Sequence, residues 1–70
     1  MSATAIVNGE LIKELRIKKL ITQSQLAEMA GIRAESLCRL EKGRAAKFST
    51  ILKLASVLEV NPTALIAKKA

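Results

Sequence analysis

The chain has 70 residues, half of them apolar, and 12 Lys and Arg against 6 Asp and Glu give it a net charge of +6 and a pI near 10. These values predict one small folded domain with an anionic partner, and they exclude a disordered basic tail. With no His and one Cys, an internal disulfide is excluded, and a structural zinc site or catalysis through His is not expected.

The sequence therefore predicts neither an enzyme nor a bound cofactor. Its longest apolar run is far below the roughly 18 residues that a membrane helix needs, and its first five residues lack the basic start of a secretory signal. A free thiol without an export signal fits a reducing compartment. We expect a cytoplasmic protein with no membrane partner and, because no sensor domain is present, no small-molecule ligand.

Helix signals dominate, since Val, Ile and Thr do not alternate with polar residues over a useful length and Tyr and Trp are absent. Asn8 is a good N-cap for a first helix, and residues 1–7 before it are expected to be flexible. Thr22 and Gln25 have the spacing of a capping box, which predicts a second helix over about residues 23–29. That helix ends at Gly31, because glycine adopts the positive φ that often follows a helix.

A third helix is predicted over 34–41, and a loop follows at 44–48. Ser49 is a plausible N-cap for a fourth helix, and Asn61-Pro62 predicts the start of a fifth, with Asn as cap and Pro in the first turn. Phe48, the sole aromatic residue, is expected to fill the core beneath the loop. Short helices and tight loops predict an all-α fold, a compact domain of about five helices.

Residues 22–43 combine a capped helix, a glycine-centred turn and a second helix of similar length. Two helices joined so tightly cross steeply, and Ala27 can supply the small side chain needed where they touch. The second of them keeps a polar outer face, made of Arg33, Ala34, Glu35, Ser36 and Arg39. Such a face can enter the major groove of double-stranded DNA and donate hydrogen bonds to base edges.

At these residues the sequence resembles the helix-turn-helix of phage repressors and Cro-like (Xre-type) regulators. The pattern Thr-Gln-x-x-Leu-Ala-x-x-x-Gly-Ile starts at Thr22, and Leu-x-x-Leu-Glu-x-Gly starts at Leu37. The resemblance extends over about residues 10 to 68. It implies a single lambda-repressor-like DNA-binding domain occupying 1–70, with its core at about 10–68.

The resemblance also implies roles for individual positions. Gln23 resembles the glutamine that bonds a DNA phosphate and braces the recognition helix, which corresponds here to residues 34–41. Arg16 and Glu41 resemble an ion pair that joins the first helix to the end of the third. The fifth helix and its flanks often form the dimer contact. DNA contacts are implied for the outer face of the third helix, Arg33, Ala34, Glu35, Ser36 and Arg39, and for the segment that follows the DNA backbone, Lys42, Arg44 and Lys47.

The chain departs from the family pattern at several positions. Leu20 and Glu59 stand where the family often has Gly, and Arg33 stands where Ser or Thr commonly caps the recognition helix. Ala45 and Ala46 replace residues that are often basic or polar. The turn after the first helix and the phosphate contacts of the loop are therefore expected to differ from those of relatives.

Simpler roles remain open for several of these residues. Arg33 and Arg39 could be solvated surface charges, and Gln23 an ordinary polar surface residue. Glu35 could pair with Arg39 one helical turn away or accept a hydrogen bond from cytosine N4. Cys38 is interpreted as a small packing residue, because nothing beside it explains a reactive thiol.

Two functions follow. The first is a sequence-specific regulator of transcription that binds double-stranded DNA, a homodimeric repressor on an inverted repeat, since one short helix contacts too few bases to specify a site. The alternative is an antitoxin-like interaction module that inhibits a toxin partner and autoregulates its own operon. Co-purification with an acidic protein would favour the second.

Overall fold

Four α-helices, two short strands and a terminal 3-10 helix make up residues 3–67, the part of the chain that the computed structural model describes. In chain order they are β1 Thr4–Ile6, α1 Gly9–Lys18, α2 Gln23–Ala30, α3 Ala34–Glu41, β2 Ala45–Lys47, α4 Phe48–Leu58 and the 3-10 helix Pro62–Leu65.

Local capping explains where the first two helices begin. The Asn8 side chain accepts a hydrogen bond from the backbone N–H of Leu11 at 3.2 Å. Thr22 and Gln25 form the predicted capping box, with each side chain accepting from the other residue's backbone N–H, at 3.1 and 2.8 Å. Gly31 ends α2 with φ +70°. The predicted second and third helices are confirmed, the second to within one residue.

The prediction that residues 1–7 are flexible is wrong from Thr4 onward. Strand β1 pairs antiparallel with β2, with Ala5 opposite Ala46, and Val7 is buried in the core. A three-residue strand is too short to show alternation, and its partner lies some forty residues away, so no local signal reveals it. Residues 1–2 and the predicted core limit near 68 lie outside the described residues.

Three predictions for the second half of the chain also need correction. The predicted fifth helix is the 3-10 helix Pro62–Leu65, although Asn61 caps it as expected by accepting from the Thr63 backbone N–H at 3.1 Å. Helix α4 begins at Phe48. Its N-cap is Lys47, whose side chain makes no capping hydrogen bond, so Ser49 is not the cap. Phe48 is 49% exposed and does not fill the core, because its side chain lines a surface groove between α4 and the 3-10 helix.

The hydrophobic core receives side chains from every helix and from the segment after β1. The large side chains that are fully buried are Val7, Ile12, Leu26, Leu37, Leu54 and Leu65. Burial of such side chains supplies the main stabilisation of a small domain. Within residues 3–67, no helix has both the length and the apolar character needed to cross a membrane.

Candidate nucleic-acid interface

The α2–α3 unit packs through small and apolar residues and leaves one face of α3 in solvent. Ala27 is 2% exposed at the crossing, and the backbone N–H of Ile32 donates to the Ala27 carbonyl at 2.9 Å to close the turn. Leu37 and Leu40 of α3 are buried in the core. The opposite face is exposed, and it consists of the predicted residues Arg33, Ala34, Glu35, Ser36 and Arg39.

The charged side chains of this face are not tied to one another. The salt bridges among residues 3–67 join Arg16 to Glu41 and Lys19 to Glu59, so the intrahelical pair of Glu35 with Arg39 does not form. Arg33 is the N-cap of α3 with φ −79° and ψ 146°, and its side chain makes no capping hydrogen bond. The face therefore presents free donors and one free carboxylate.

A buried carboxylate holds α3 in place. The Nε of Arg16 donates to Oε2 of Glu41 at 2.7 Å, and the Arg16 side chain also bonds the Ile21 carbonyl at 2.9 Å. Gln23 Nε2 donates to Oε1 of Glu41 at 2.9 Å. The side chains of Arg16 and Glu41 are only 12% and 5% exposed. Because the charge-assisted bonds satisfy the Glu41 carboxylate, they fix the end of α3 to α1 and to the start of α2.

Gln23 therefore bonds the end of α3, and its contact with a DNA phosphate stays a prediction. Its Nε2 has one N–H on Glu41 and a second N–H available. Gln23 is also the first residue of α2, where the backbone N–H has no partner within the helix and suits an anion.

A basic groove continues from α3 towards β2. Its polar and charged lining residues are Ser36, Arg39, Lys42, Arg44, Lys47 and Thr50, and no carboxylate lines it. The structure thus brings together Arg39 of the recognition face and the predicted backbone-contacting residues of the following segment. Because no carboxylate lines the groove, its cations create a positive potential that attracts a polyanion.

Residues 12–65 match the helix-turn-helix family model HTH_3. The chain belongs to the helix-turn-helix family. No curated protein is detectably similar to it in sequence. Among solved structures, the restriction-modification controller protein C.AhdI from Aeromonas hydrophila is 34% identical, with a TM-score of 0.76 over 83% of this chain and 89% of that one.

A second solved protein shares the fold alone. PhpD, in crystals with cadmium, is 23% identical with a TM-score of 0.77, and the match covers 93% of this chain but 14% of PhpD. The family and the controller protein together identify this helix-turn-helix domain as a DNA-binding transcriptional regulator. Among its described residues, no group of His, Cys, Asp and Glu side chains is arranged to hold a metal ion.

Sequence reasoning missed two features of this helix-turn-helix domain. One is the pairing of β1 with β2, which fixes a segment of the basic groove. The other is an apolar groove between α4 and the 3-10 helix, lined by Phe48, Ile51, Leu52, Pro62, Thr63 and Ile66. The exposure of Phe48 and Leu52, one turn apart on α4, could have been suspected from the excess of apolar residues on that helix.

Proposed function

We propose that this helix-turn-helix protein is a sequence-specific repressor that inserts α3 into the major groove of double-stranded DNA. The exposed outer face of α3, continuous with a groove lined by Arg39, Lys42, Arg44 and Lys47, carries the proposal. The face supplies base-specific groups, and the groove supplies the sequence-independent attraction to phosphates.

Each residue of the α3 face has a chemically matched base contact. Arg33 and Arg39 can donate to guanine O6 and N7, Glu35 can accept from cytosine N4, and the Ala34 methyl can contact a thymine methyl group. The Ser36 hydroxyl can donate a hydrogen bond to an edge of either base of a pair or accept one from it. The absence of an ion pair between Glu35 and Arg39 among the described salt bridges supports separate roles for their side chains.

The phosphate contacts fall on both sides of α3. Gln23 can donate two N–H groups to a phosphate of one DNA strand. One is the second N–H of its side-chain amide, and the other is its backbone N–H at the start of α2. Lys42, Arg44 and Lys47 follow α3 along the basic groove and would meet the backbone next to the bases that α3 contacts. Such contacts set the orientation of the recognition helix without carrying sequence information.

Two copies of the chain would bind an inverted repeat. Each matched base contact contributes only about 1–3 kcal/mol, so one short helix does not specify a site. The lining of the α4 groove has no charged residue, although the chain carries a net charge of +6. Two copies can therefore meet through Phe48, Leu52 and Ile66 without bringing cations together. The likeness to a controller protein favours gene control over the inhibition of a toxin.

Selection of bound duplexes from a random pool tests this function. We expect an inverted repeat with half-site centres about 34 Å apart and an affinity that falls steeply with salt, with a slope of about −0.9 per phosphate contacted. A salt slope near zero or the absence of an enriched sequence would overturn the proposal. Leu52→Gln should give a monomer in sedimentation, while Leu20→Gln, at an exposed leucine outside the groove, should remain dimeric.

A further inference from the structure

We propose that β1 is a positioning element for DNA binding, which holds residues 44–47 in the conformation that contacts phosphates. The inference rests on the proposed function. Strand β1 lies outside residues 12–65, the part that the family model matches. The polar groups of the basic groove come in part from β2, the strand that β1 pairs with.

The pairing fixes the whole segment between α3 and α4. Ala5 lies opposite Ala46, the Val7 backbone N–H donates to the Arg44 carbonyl at 3.3 Å, and the Phe48 N–H donates to the Ala3 carbonyl at 2.9 Å. In an antiparallel ladder hydrogen-bonded pairs alternate with non-bonded pairs. Ala5 and Ala46 are therefore a bonded pair.

The same alternation decides which backbone groups of β2 lie outside the ladder. The residues of β2 on either side of Ala46 are Ala45 and Lys47, opposite Ile6 and Thr4. They are non-bonded positions, so their backbone N–H groups point away from β1. Ala45 and Lys47 line the basic groove together with Ala46. Pairing with β1 thus fixes the backbone beside the Lys47 ammonium group and leaves the N–H groups of Ala45 and Lys47 outside the ladder.

Strand β1 is itself firmly held. Val7 is 2% exposed, the Asn8 backbone N–H donates to the Leu65 carbonyl at 2.7 Å, and the Ala67 N–H donates to the Ile6 carbonyl at 2.9 Å. One edge of β1 is fixed to the end of the described chain and the other to β2. Without β1, residues 44–47 would form an unpaired connection after Gly43, and binding would have to order that connection at an entropic cost.

Ala5→Pro and Thr4→Pro form a matched pair of variants. Proline at Ala5 removes an N–H that bonds β2, whereas proline at Thr4 removes an N–H that points away from β2. With the selected duplex, we expect Ala5→Pro to bind about tenfold more weakly, because residues 44–47 must then be ordered on binding. The affinity of Ala5→Pro for a random duplex should fall by the same factor, because phosphate contacts carry no sequence information. The affinity of Thr4→Pro should stay within about twofold of that of the parent, since the backbone N–H that it loses makes no ladder bond.

A double-variant cycle separates positioning from general destabilisation. If β1 acts through Arg44 and Lys47, then Arg44→Ala with Lys47→Ala should weaken binding less in the Ala5→Pro protein than in the parent. Equal binding by the two proline variants, additive losses in the cycle, or a changed ratio of selected to random affinity would overturn the inference. Failure of the unaltered protein to select any duplex would instead reject the proposed function.

Amide exchange of the unaltered protein gives a test that does not depend on folding of the variants. We expect the Ala46 amide to be protected before DNA is added, because β1 already bonds it. If this amide exchanges at an unprotected rate in the free protein and becomes protected only on DNA, β1 does not preorganise the segment.

Discussion

Gly9, the first residue of α1, lies directly against the backbone of Glu41 at the end of α3. A Cβ atom added at Gly9 would come within 2.6 Å of the carbonyl carbon of Glu41, far inside van der Waals contact. Because backbone atoms cannot rotate away as a flexible side chain can, only glycine allows α1 to approach α3 so closely. This approach brings Arg16 of α1 towards the Glu41 carboxylate.

Gly9→Ala should therefore destabilise the protein through overpacking, by about 1–3 kcal/mol, despite the better helix propensity of alanine. Urea unfolding measures the change. Gly31→Ala is the comparison, because Gly31 has φ +70° but open space around its Cβ position. Gly31→Ala should lower the free energy of unfolding by about 1 kcal/mol, because alanine is strained in the left-handed backbone conformation. A Gly9→Ala protein as stable as the parent would show that the α1–α3 contact relaxes easily.

Glu41→Ala should be more damaging. It leaves the Arg16 guanidinium, whose side chain is 12% exposed, without its carboxylate partner, and it also frees Gln23. Removal of one member of a buried ion pair costs about 3–5 kcal/mol, a large part of the stability of a small domain. Denaturant unfolding checks this, and Glu35→Ala, at an exposed carboxylate of the same helix, should change the stability by less than about 0.5 kcal/mol.

Leu20→Gly should stabilise the protein relative to Leu20→Ala. Leu20 has φ +57° and is 90% exposed, so its side chain buries little while its backbone is strained. Both variants remove the side chain, but only glycine relieves the strain, by about 1 kcal/mol. Thermal unfolding of the two variants gives the comparison. Equal melting temperatures would mean that the turn tolerates the left-handed conformation without cost.

The ion pair of Lys19 with Glu59 predicts a pH-dependent contribution to stability. The hydrogen bond from Lys19 and then its charge lower the pKa of Glu59 from its ordinary value of 4.5. A lowered pKa in the folded state means that the contribution is complete above pH 4.5 and is lost as the pH falls through the folded-state pKa.

The free-energy difference between the parent and Glu59→Gln should accordingly be small at neutral pH, vanish in acid, and shrink with added salt. In a Lys19→Met background the same substitution should show no such pH dependence. Unfolding at several pH values measures both. A difference that grows on acidification would contradict the direction of the pKa shift.

Arg39→Ala and Lys47→Ala should affect DNA binding in different ways. Loss of a bidentate contact to guanine costs about 1–3 kcal/mol and relaxes the preference at particular base positions. Loss of a phosphate contact weakens all sequences alike and reduces the salt slope by about 1. Repeated site selection and salt titration distinguish the two. Equal weakening on every sequence by Arg39→Ala would make Arg39 a phosphate contact.

The sequence predicted the parts of the fold that local chemistry decides. Thr22 and Gln25 signal the start of α2 and Gly31 its end, all within ten residues of sequence, so the helix-turn-helix unit and the exposed face of α3 could be predicted. The pairing of Ala5 with Ala46 could not, because it joins residues far apart through backbone atoms that carry no sequence signal. The outward side chain of Phe48 at the start of α4 and the need for glycine at position 9 both depend on tertiary packing.

The shared carboxylate of Glu41 has a mechanical consequence for recognition. Because Arg16 and Gln23 both bond it, α3 cannot tilt without breaking buried charge-assisted bonds, and each copy would meet the double helix as a stiff body. If two copies bind an inverted repeat as proposed, a mismatch between their spacing and that of the half-sites would be absorbed at the contact between the copies or by bending the duplex. The flexibility of base steps that the protein never touches would enter its choice of site.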